Sequence, residues 1–132
     1  MAERGSMPHK AIPIYVIDDD KSVLRALLLL MQSAGFIARA FGSAKEFLES
    51  KDPGDPGVII VDMRMPGMTG LELIEALAAR KDRGKVIAIS AFEDAPTRDL
   101  AKTLGVVAFF KKPVDDQALI DTIEWAVRGE KF

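Results

Sequence analysis

The sequence predicts an α/β protein built on one twisted parallel sheet of five strands, with helices on both faces. Short runs rich in Val, Ile and Phe alternate five times with longer segments of helical periodicity, which is the order of a repeated strand and helix. Three of these runs are almost continuously apolar, as expected for parallel strands that are buried on both faces. A chain of 132 residues is long enough for one such domain and too short for two ordinary ones.

Five segments are predicted to be strands. They are Ile12 to Ile17, Ile37 to Phe41, Val58 to Val61, Val86 to Ile89 and Val106 to Phe110. Parallel strands joined by helices need right-handed crossovers, and five of them fit the doubly wound, flavodoxin-like order 2-1-3-4-5. In that order the second strand is an edge, where Arg39 hinders pairing with another sheet. Pro13 falls near the start of a central strand, where a missing N–H donor does least harm.

The helices are predicted from apolar periodicity and from signals at their ends. In the first helix, Leu24, Leu27, Leu28 and Met31 follow the i, i+3, i+4, i+7 spacing of one apolar face. The end signals are Ser43 with Glu46, Thr69 with Glu72, Pro96 in a first turn, and Gly35, Gly84 and Gly105 after helices. These signals place one helix between each pair of consecutive strands and one after the last strand.

The last helix contains an aromatic residue outside its apolar stripe. Its apolar stripe is Leu119, Ile120, Ile123, Ala126 and Val127. At 100° per residue Trp125 points away from this stripe, so we expect an exposed side chain. Exposed aromatic residues are enriched at interfaces, and Trp125 is therefore a candidate partner contact.

Composition excludes several classes of function. A net charge of −2 and a sequence pI of about 5.4 argue against electrostatic binding to nucleic acid. The chain has no cysteine, which excludes disulfides, thiolate metal sites and cysteine nucleophiles. No apolar run approaches the roughly 20 residues of a membrane span, and the N-terminal segment lacks the apolar region of a secretion signal. We expect a cytoplasmic protein that does not contact membranes.

The chain is expected to form one domain over residues 12–129. Residues 1–11 are interpreted as a flexible N-terminal segment, since Gly5, Ser6 and Met7 are typical of a cloning scar, and residues 130–132 as a tail. His9 falls in the N-terminal segment and is not expected to carry phosphate.

Polar residues follow the apolar strands at their carboxyl ends. The acidic run Asp18 to Asp20 follows the first strand, Asp62 ends the third, Ser90 ends the fourth and Lys112 follows the fifth. In a parallel sheet these ends share one edge, and the first and third strands meet where the winding reverses, which is where such folds bind ligands. Neighbouring carboxylates at a separation of roughly 4 Å repel by about 4 kcal/mol per pair. We therefore expect a cation among them.

The donor atoms at this edge predict metal-assisted phosphoryl transfer. Oxygen ligands without histidine or cysteine favour Mg²⁺ or Mn²⁺, and Mg²⁺ takes one or two carboxylates, keeps waters and bridges to phosphate. A carboxylate beside such an ion can attack phosphorus to form an aspartyl phosphate, a role for which Asp62 is suited. Lys112 offers a point charge and Ser90 a rotatable donor to the phosphoryl oxygens.

These motifs resemble the receiver domains of bacterial two-component response regulators, a CheY-like family. The resemblance covers Ile12 to Arg128, through the segments IYVIDDD, VDMRMPGMTG, VIAIS and AFFKKP in this order, and is nearest to receivers of the FixJ type. It implies a phosphorylation-controlled switch and not an enzyme, although such domains assist their own phosphorylation and dephosphorylation. The implied partner is a sensor histidine kinase or a phosphotransfer protein.

The resemblance also implies roles for the acidic residues. Asp62 would be the phosphoacceptor. Asp19 would bind Mg²⁺ directly and Asp18 mainly through water, with the backbone carbonyl of Arg64 completing the protein ligands. Asp20 is assigned to capping of the first helix.

Further implied roles concern the bound phosphoryl group and its effect. Ser90, the backbone amide of Ala91 and Lys112 would contact the phosphoryl group, and Phe109 would turn inward as the Ser90 hydroxyl moves. The Lys112–Pro113 bond is expected to be cis, which would aim the lysine into the site. Helix 4, strand 5 and helix 5 would form the output surface, with phosphorylation-dependent homodimerisation as one use.

Two bulky residues lie where relatives vary and where phosphoryl lifetime is tuned. Arg64 follows Asp62 by two residues, and Phe92 follows Ser90 by two. Our hypothesis is that both side chains shield the acyl phosphate from water and slow its hydrolysis.

Two other classes of function fit parts of the sequence. Asp18 to Ser22 also reads as DxDxS after a strand, the nucleophile pattern of haloacid-dehalogenase-like phosphatases, which would make Asp18 the nucleophile. Against this class, no later strand carries an acidic pair, since Asp115 and Asp116 are expected to begin the last helix. The other class is a receiver-like interaction module that is never phosphorylated. The intact acidic set and Lys112 argue against it, because such a module needs no metal site.

Overall fold

The computed structural model describes residues 11–91 and 94–128 as an alternation of strands and helices. In chain order they are β1 (Ile14–Ile17), α1 (Lys21–Ser33), β2 (Ala38–Phe41), α2 (Ala44–Ser50), β3 (Val58–Asp62), α3 (Gly70–Ala79), β4 (Lys85–Ser90), α4 (Ala95–Thr103), β5 (Ala108–Lys111) and α5 (Asp116–Arg128). The predicted alternation is confirmed. His9 and the predicted tail at 130–132 lie outside the described residues. Within the described part, no helix combines the length and apolar character needed to cross a bilayer.

The strands form one parallel sheet in the order β2-β1-β3-β4-β5. β1 lies between β2 and β3, with Ile17 opposite Phe41 on one side and Val61 on the other. This is the predicted flavodoxin-like order, with β2 at an edge. The direction of winding reverses between β1 and β3, so the carboxyl ends of these two strands border the crevice in which such folds bind ligands.

The sheet separates two hydrophobic cores. One core packs against α2, α3 and α4, and the other packs against α1 and α5. Because successive side chains of a strand point to opposite faces, Tyr15 lies in the first core and Val16 in the second. Phe109 and Phe110 divide in the same way, as their alternation predicts.

Helix ends follow the predicted signals with one exception. The hydroxyl of Ser43 accepts a hydrogen bond from the Glu46 N–H at 3.2 Å, and Thr69 and Glu72 form a reciprocal capping box. Gly35 and Gly105 follow α1 and α4 with φ angles of 87° and 101°, a region that favours glycine. Gly84 lies instead in the loop before β4, and α3 ends earlier, at Ala79.

Three strands begin later than predicted, and β2 begins one residue late, at Ala38. β5 begins at Ala108 because the Val106 N–H is used to close α4, donating to the Ala101 carbonyl at 3.1 Å. β1 begins at Ile14, directly after Pro13, which has no N–H to give to a ladder. The order of the strands and the residues at their carboxyl ends are unaffected.

A buried charge cluster closes the opposite, amino-terminal edge of the sheet. The Asp82 carboxylate accepts from the Lys51 ammonium at 2.7 Å and from the Arg80 guanidinium at 2.6 and 2.9 Å. The Lys51 ammonium also donates to the carbonyls of Asp52 and Asp55. The side chains of Lys51 and Asp82 are 0% and 1% exposed. These contacts tie the loop after α2 to the loop after α3.

Candidate functional site

The strand register brings the predicted site residues to one edge of the sheet. Asp18 directly follows β1, whose last residue Ile17 lies opposite Val61, the neighbour of Asp62. Ser90 ends β4 and Lys112 directly follows β5. The carboxyl ends of four adjacent strands thus supply the polar groups, as expected from the parallel order.

Three aspartates form an acidic cluster at this edge. One carboxylate oxygen from each of Asp18, Asp19 and Asp62 lies within 4.8 Å of the other two. Asp18 and Asp62 are buried, at 3% and 6% exposure, whereas Asp19 is exposed. Oxygen ligands of one Mg²⁺ lie roughly 3 to 4 Å apart at its usual bond lengths. The donor set and its spread therefore fit a small divalent cation.

Lys112 and two backbone N–H groups compensate the buried carboxylates. The Lys112 ammonium lies 3.4 Å from Asp18 Oδ2 and 3.6 Å from Asp62 Oδ1. The Asp20 N–H donates to Asp18 Oδ1 at 2.9 Å, and the Arg64 N–H donates to Asp62 Oδ1 at 3.3 Å. The peptide bond between Lys112 and Pro113 is cis, as the resemblance implies.

The environment of Asp62 favours its protonated form. Burial raises the pKa of the Asp62 carboxyl, and the charges of Asp18 and Asp19 raise it further. The hydrogen bond from Arg64 and the charge of Lys112 oppose this increase without cancelling it. A carboxylate at this position therefore gains from an added cation, which would neutralise its acidic neighbours.

The third member of the acidic run has a different role. Asp20 is the N-cap of α1, and its Oδ1 accepts from the N–H groups of Ser22 and Val23 at 2.8 and 3.3 Å. The capping role assigned to Asp20 is confirmed. Of the three consecutive acids, two face the cluster and one begins the helix.

Ser90 opens onto a groove beside the cluster. The groove has a volume of about 570 Å³ and lies between the loop after β3 and the start of α4. Ser90 is 2% exposed, and Arg64 and Asp94 line the same groove. The Arg64 side chain, proposed to shield an acyl phosphate, is therefore on the side of the site from which Ser90 approaches.

The remaining predicted residues are divided between the described and undescribed parts of the chain. Ala91 is exposed directly after β4. Phe109 is half-buried on β5, and the Arg98 guanidinium lies 5.8 Å from the centre of its ring. Lys111 is exposed, in keeping with the absence of a predicted role. Phe92, predicted to tune phosphoryl lifetime, lies outside the described residues.

Asp94 is a groove residue that is not among the predicted site residues. Its carboxylate caps α4 by accepting from the Thr97 N–H at 2.8 Å. The hydrogen bonds from Thr97 lower the pKa of Asp94, and the charge of Arg64 lowers it further. The sequence contained a signal for this position. Pro96 is predicted to lie in the first turn of a helix, and an aspartate two residues before such a proline is a common N-cap.

Buried aspartates beside a lysine, at the reversal point of a 2-1-3-4-5 parallel sheet, define a receiver-type signalling domain. Residues 14–124 match the family described as the response regulator receiver domain. The chain belongs to this family, whose function is a phosphorylation-controlled switch. Receiver domains are signalling switches and not conventional enzymes, use Mg²⁺ at an acidic pocket, and interact with histidine kinases or phosphotransfer proteins.

The chain is similar in sequence and structure to several bacterial regulatory proteins. The chain is 40% identical over 114 residues to the transcriptional regulatory protein FixJ of Azorhizobium caulinodans, covering 86% of this chain and 54% of FixJ. It is 36% identical over 122 residues to the response regulator protein TodT of Pseudomonas putida, covering 92% of this chain and 54% of TodT. The solved structure of the response regulator StyR superposes with a TM-score of 0.84 at 41% identity, covering 89% of this chain and 60% of StyR. The chain thus spans about half the length of these curated relatives.

Proposed function

We propose that Asp62 is the phosphoacceptor of this receiver domain. The observation that carries the proposal is the position of the buried Asp62 carboxylate, within an acidic cluster and 3.6 Å from the Lys112 ammonium. The donor is the phosphohistidine of a sensor kinase or of a phosphotransfer protein. An Asp62 oxygen forms a bond to phosphorus as the bond from phosphorus to the imidazole nitrogen breaks, and the electron pair of that bond stays on the imidazole.

The acidic cluster would hold Mg²⁺ or Mn²⁺ during this transfer. Asp19 and Asp62 would bind the ion directly, Asp18 mainly through water, and the backbone carbonyl of Arg64 would complete the protein ligands. When bound, the ion supplies positive charge to the oxygens of the transferring group. Lys112 would add a second positive charge near the same oxygens, because its ammonium lies 3.4 Å from Asp18 Oδ2 and 3.6 Å from Asp62 Oδ1.

The added phosphoryl charge is proposed to shift a two-state equilibrium in the output surface. The Ser90 hydroxyl and the Ala91 amide donate to the phosphoryl oxygens, and Phe109 turns inward in the phosphorylated state. These contacts exist only in one state, so phosphorylation favours that state without a new fold. The surface of α4, β5 and α5 then changes, which can control a partner or homodimerisation.

The acyl phosphate is proposed to be reset by hydrolysis within the same site. A water molecule attacks phosphorus, the bond from phosphorus to Asp62 breaks, and inorganic phosphate leaves. Arg64 and Phe92 slow this step by restricting the approach of water. The switch therefore assists both its own phosphorylation and its own dephosphorylation.

The proposed domain covers residues 12–129 and works in the cytoplasm. Relatives named as transcriptional regulators are about twice the matched length, so an output domain in a longer protein could act on DNA. The acidic receiver domain itself is proposed to make no direct contact with nucleic acid or membrane.

Labelling with a small acyl-phosphate donor tests the proposal. The protein is incubated with acetyl phosphate and MgCl₂, and the modified residue is mapped by mass spectrometry. We expect the label on Asp62 and its loss in Asp62→Asn or with EDTA, while Asp55→Asn, an exposed aspartate, retains it. A label on Asp18 would support a phosphatase-like nucleophile instead. Absence of both labelling and Mg²⁺ binding would support an unphosphorylated interaction module.

A further inference from the structure

The first residue of α3 has no room for a side chain. A methyl carbon added at Gly70 would lie 2.5 Å from the Asp62 carbonyl oxygen and 2.5 Å from Met63 Cα, whereas ordinary contact begins at 3.4 Å. Both neighbours are backbone atoms, which cannot rotate away as the end of a side chain can. The absence of a side chain at Gly70 is therefore what lets α3 approach the peptide that carries Asp62.

The peptide between Asp62 and Met63 is held at its N–H, and the peptide that follows it is held at its carbonyl. The Gly70 N–H donates to the Met63 carbonyl at 3.2 Å, and the Met63 N–H donates to the Ile89 carbonyl of β4 at 2.8 Å. β3 is itself paired with β1 and β4. A side chain at position 70 could be accommodated only by moving the peptide between Asp62 and Met63 or by moving α3.

Movement of α3 is resisted by its packing. Leu73, Ile74 and Leu77 are buried in the core, and the capping box of Thr69 and Glu72 fixes the first turn. Protein interiors are close-packed, so buried side chains tolerate little displacement. The clash is therefore relieved mainly at the peptide next to the site.

We propose that Gly70 is a positioning residue for the phosphoacceptor and the metal ligands. The inference rests on the proposed function, since it concerns the ion and phosphoryl site around Asp62. A displaced peptide at Asp62 and Met63 moves the Asp62 carboxylate relative to Asp18 and Asp19. It also moves Arg64, whose N–H donates to Asp62 and whose carbonyl is a proposed ligand of the metal ion.

Two other glycines provide comparison sites, at which an added methyl group would be crowded without lying next to Asp62. A methyl carbon at Gly57 would lie 2.6 Å from Tyr15 Cε2, and one at Gly84 would contact Ile59 Cδ1. The nearest atoms are side-chain atoms in both cases, and the Pro13 carbonyl oxygen would lie 3.2 Å from a methyl carbon at Gly57. Both glycines precede strands, at the edge opposite the acidic cluster. Gly84→Ala and Gly57→Ala are therefore matched controls, which crowd the fold without touching the site.

Direct titration with MgCl₂ tests the inference. Binding is followed through the amide NMR signals of residues 18–20, at a temperature where the wild type, Gly70→Ala, Gly84→Ala and Gly57→Ala are all folded. We expect the Kd for Mg²⁺ to rise by roughly tenfold or more in Gly70→Ala, the usual effect of disturbing residues that orient metal ligands. The two control variants should keep the wild-type affinity even if their unfolding midpoints fall as far.

Several results would overturn the inference. Wild-type Mg²⁺ affinity in Gly70→Ala, or an equal loss in all three variants, would show that Gly70 has only a packing role. If Gly70→Ala is unfolded in buffer, the titration is repeated in trimethylamine N-oxide, which favours the compact state. Failure to fold there too would contradict the local displacement proposed. A wild type that binds no Mg²⁺ would instead overturn the proposed function, and this inference with it.

Discussion

At the scale of single residues, the buried Asp62 carboxylate lowers the stability of the folded protein before any ligand binds. The pKa of Asp62 is raised by burial and by its acidic neighbours, so the folded state holds the proton more tightly than the unfolded chain. Above the folded-state pKa, folding must therefore bury an ionised carboxylate. Asp62 lowers stability at neutral pH, and this penalty disappears as the pH falls below the unfolded-state value.

Replacement of Asp62 should consequently stabilise the metal-free protein. We expect Asp62→Asn to raise the free energy of unfolding at pH 7 by on the order of 1 kcal/mol. The gain should shrink as the pH falls through the raised pKa of Asp62, because the wild-type carboxyl is then neutral as well. Urea unfolding at several pH values measures the difference. Asp99→Asn, an exposed aspartate on α4, is the control, and a less stable Asp62→Asn at pH 7 would contradict the argument.

Arg64 provides a kinetic prediction at the same scale. Its N–H holds Asp62 and its exposed side chain lines the groove beside Ser90, where it can restrict the approach of water to the acyl phosphate. We expect the phosphoryl half-life in Arg64→Ala to be several-fold shorter than in the wild type, measured by the decay of the labelled protein after the donor is removed. Arg25→Ala, a change at an exposed site on α1, should have no effect. A longer half-life in Arg64→Ala would refute the shielding role.

The sequence allowed the site residues to be predicted, and it left their internal arrangement open. Strand ends of a parallel sheet share one edge, so the convergence of Asp18, Asp62 and Lys112 followed from the order of apolar runs. The sequence did not indicate that the Lys112 ammonium lies between the two carboxylates, nearer to Asp18. Such distances depend on side-chain packing and on the paths of the loops, which local patterns do not encode.

At the scale of helices and strands, the elements could be predicted from patterns that repeat along the chain, whereas contacts between distant residues could not. The five strands and their order follow from alternation and crossover handedness. The cluster of Lys51, Arg80 and Asp82 joins residues 31 positions apart. Nothing near Lys51 in the sequence distinguishes it from an exposed lysine, which is why this buried cluster was missed.

The same cluster should be important for stability and irrelevant to metal binding. Asp82→Ala leaves the buried Lys51 ammonium and the partly exposed Arg80 guanidinium without their carboxylate. We expect a loss of about 3 kcal/mol in the free energy of unfolding, mainly from the buried lysine. Asp55→Ala is the control, because its backbone carbonyl and not its exposed side chain contacts Lys51. Chemical denaturation measures the loss. An Mg²⁺ affinity that changes in folded Asp82→Ala would contradict the separation of the two edges.

The helices also differ in how firmly the core holds them. α5 buries five side chains in the core, whereas Ala101 is the buried residue of α4. Helices with little buried apolar surface are displaced at low free-energy cost. Asp94 at the start of α4 lines the groove next to Ser90. If the phosphoryl group engages Ser90 as proposed, α4 is therefore the element best placed to respond.

At the scale of the whole molecule, the two edges of the sheet have opposite properties. The amino-terminal edge is closed by a cluster in which Lys51 and Arg80 pair with Asp82. The carboxyl edge gathers three aspartates whose mutual repulsion Lys112 offsets only in part. A phosphoryl charge added at Asp62 would therefore act on a sheet whose amino-terminal edge is held by ion pairs and whose carboxyl edge can rearrange. In the proposed switch this response is directed to α4, β5 and the adjacent face of α5.

Trp125 makes this response measurable. It is the only tryptophan of the chain and is 52% exposed on α5, so its fluorescence reports contacts made by that helix. If phosphorylation promotes homodimerisation through the output surface, beryllium fluoride with MgCl₂, a mimic of the phosphoryl group, should shift the sedimentation coefficient towards a dimer. The emission maximum of Trp125 should shift to shorter wavelength in parallel, as the indole leaves water.

Two variants decide whether Trp125 lies in that contact. Trp125→Ala should weaken the beryllium fluoride-dependent dimer while leaving the Mg²⁺ affinity unchanged. The carbonyl of the neighbouring Ala126 accepts from the ammonium of Lys85, the first residue of β4, so this part of α5 lies towards the edge opposite the acidic cluster. Leu29→Ala removes a side chain of similar exposure, 60%, from α1 outside the output surface and should leave the dimer intact. A dimer equally stable in both variants would place the contact elsewhere. An unchanged mass and an unchanged emission in the wild type would mean that the activated domain acts as a monomer, and a titration with its kinase would then test Trp125 as a contact with another protein.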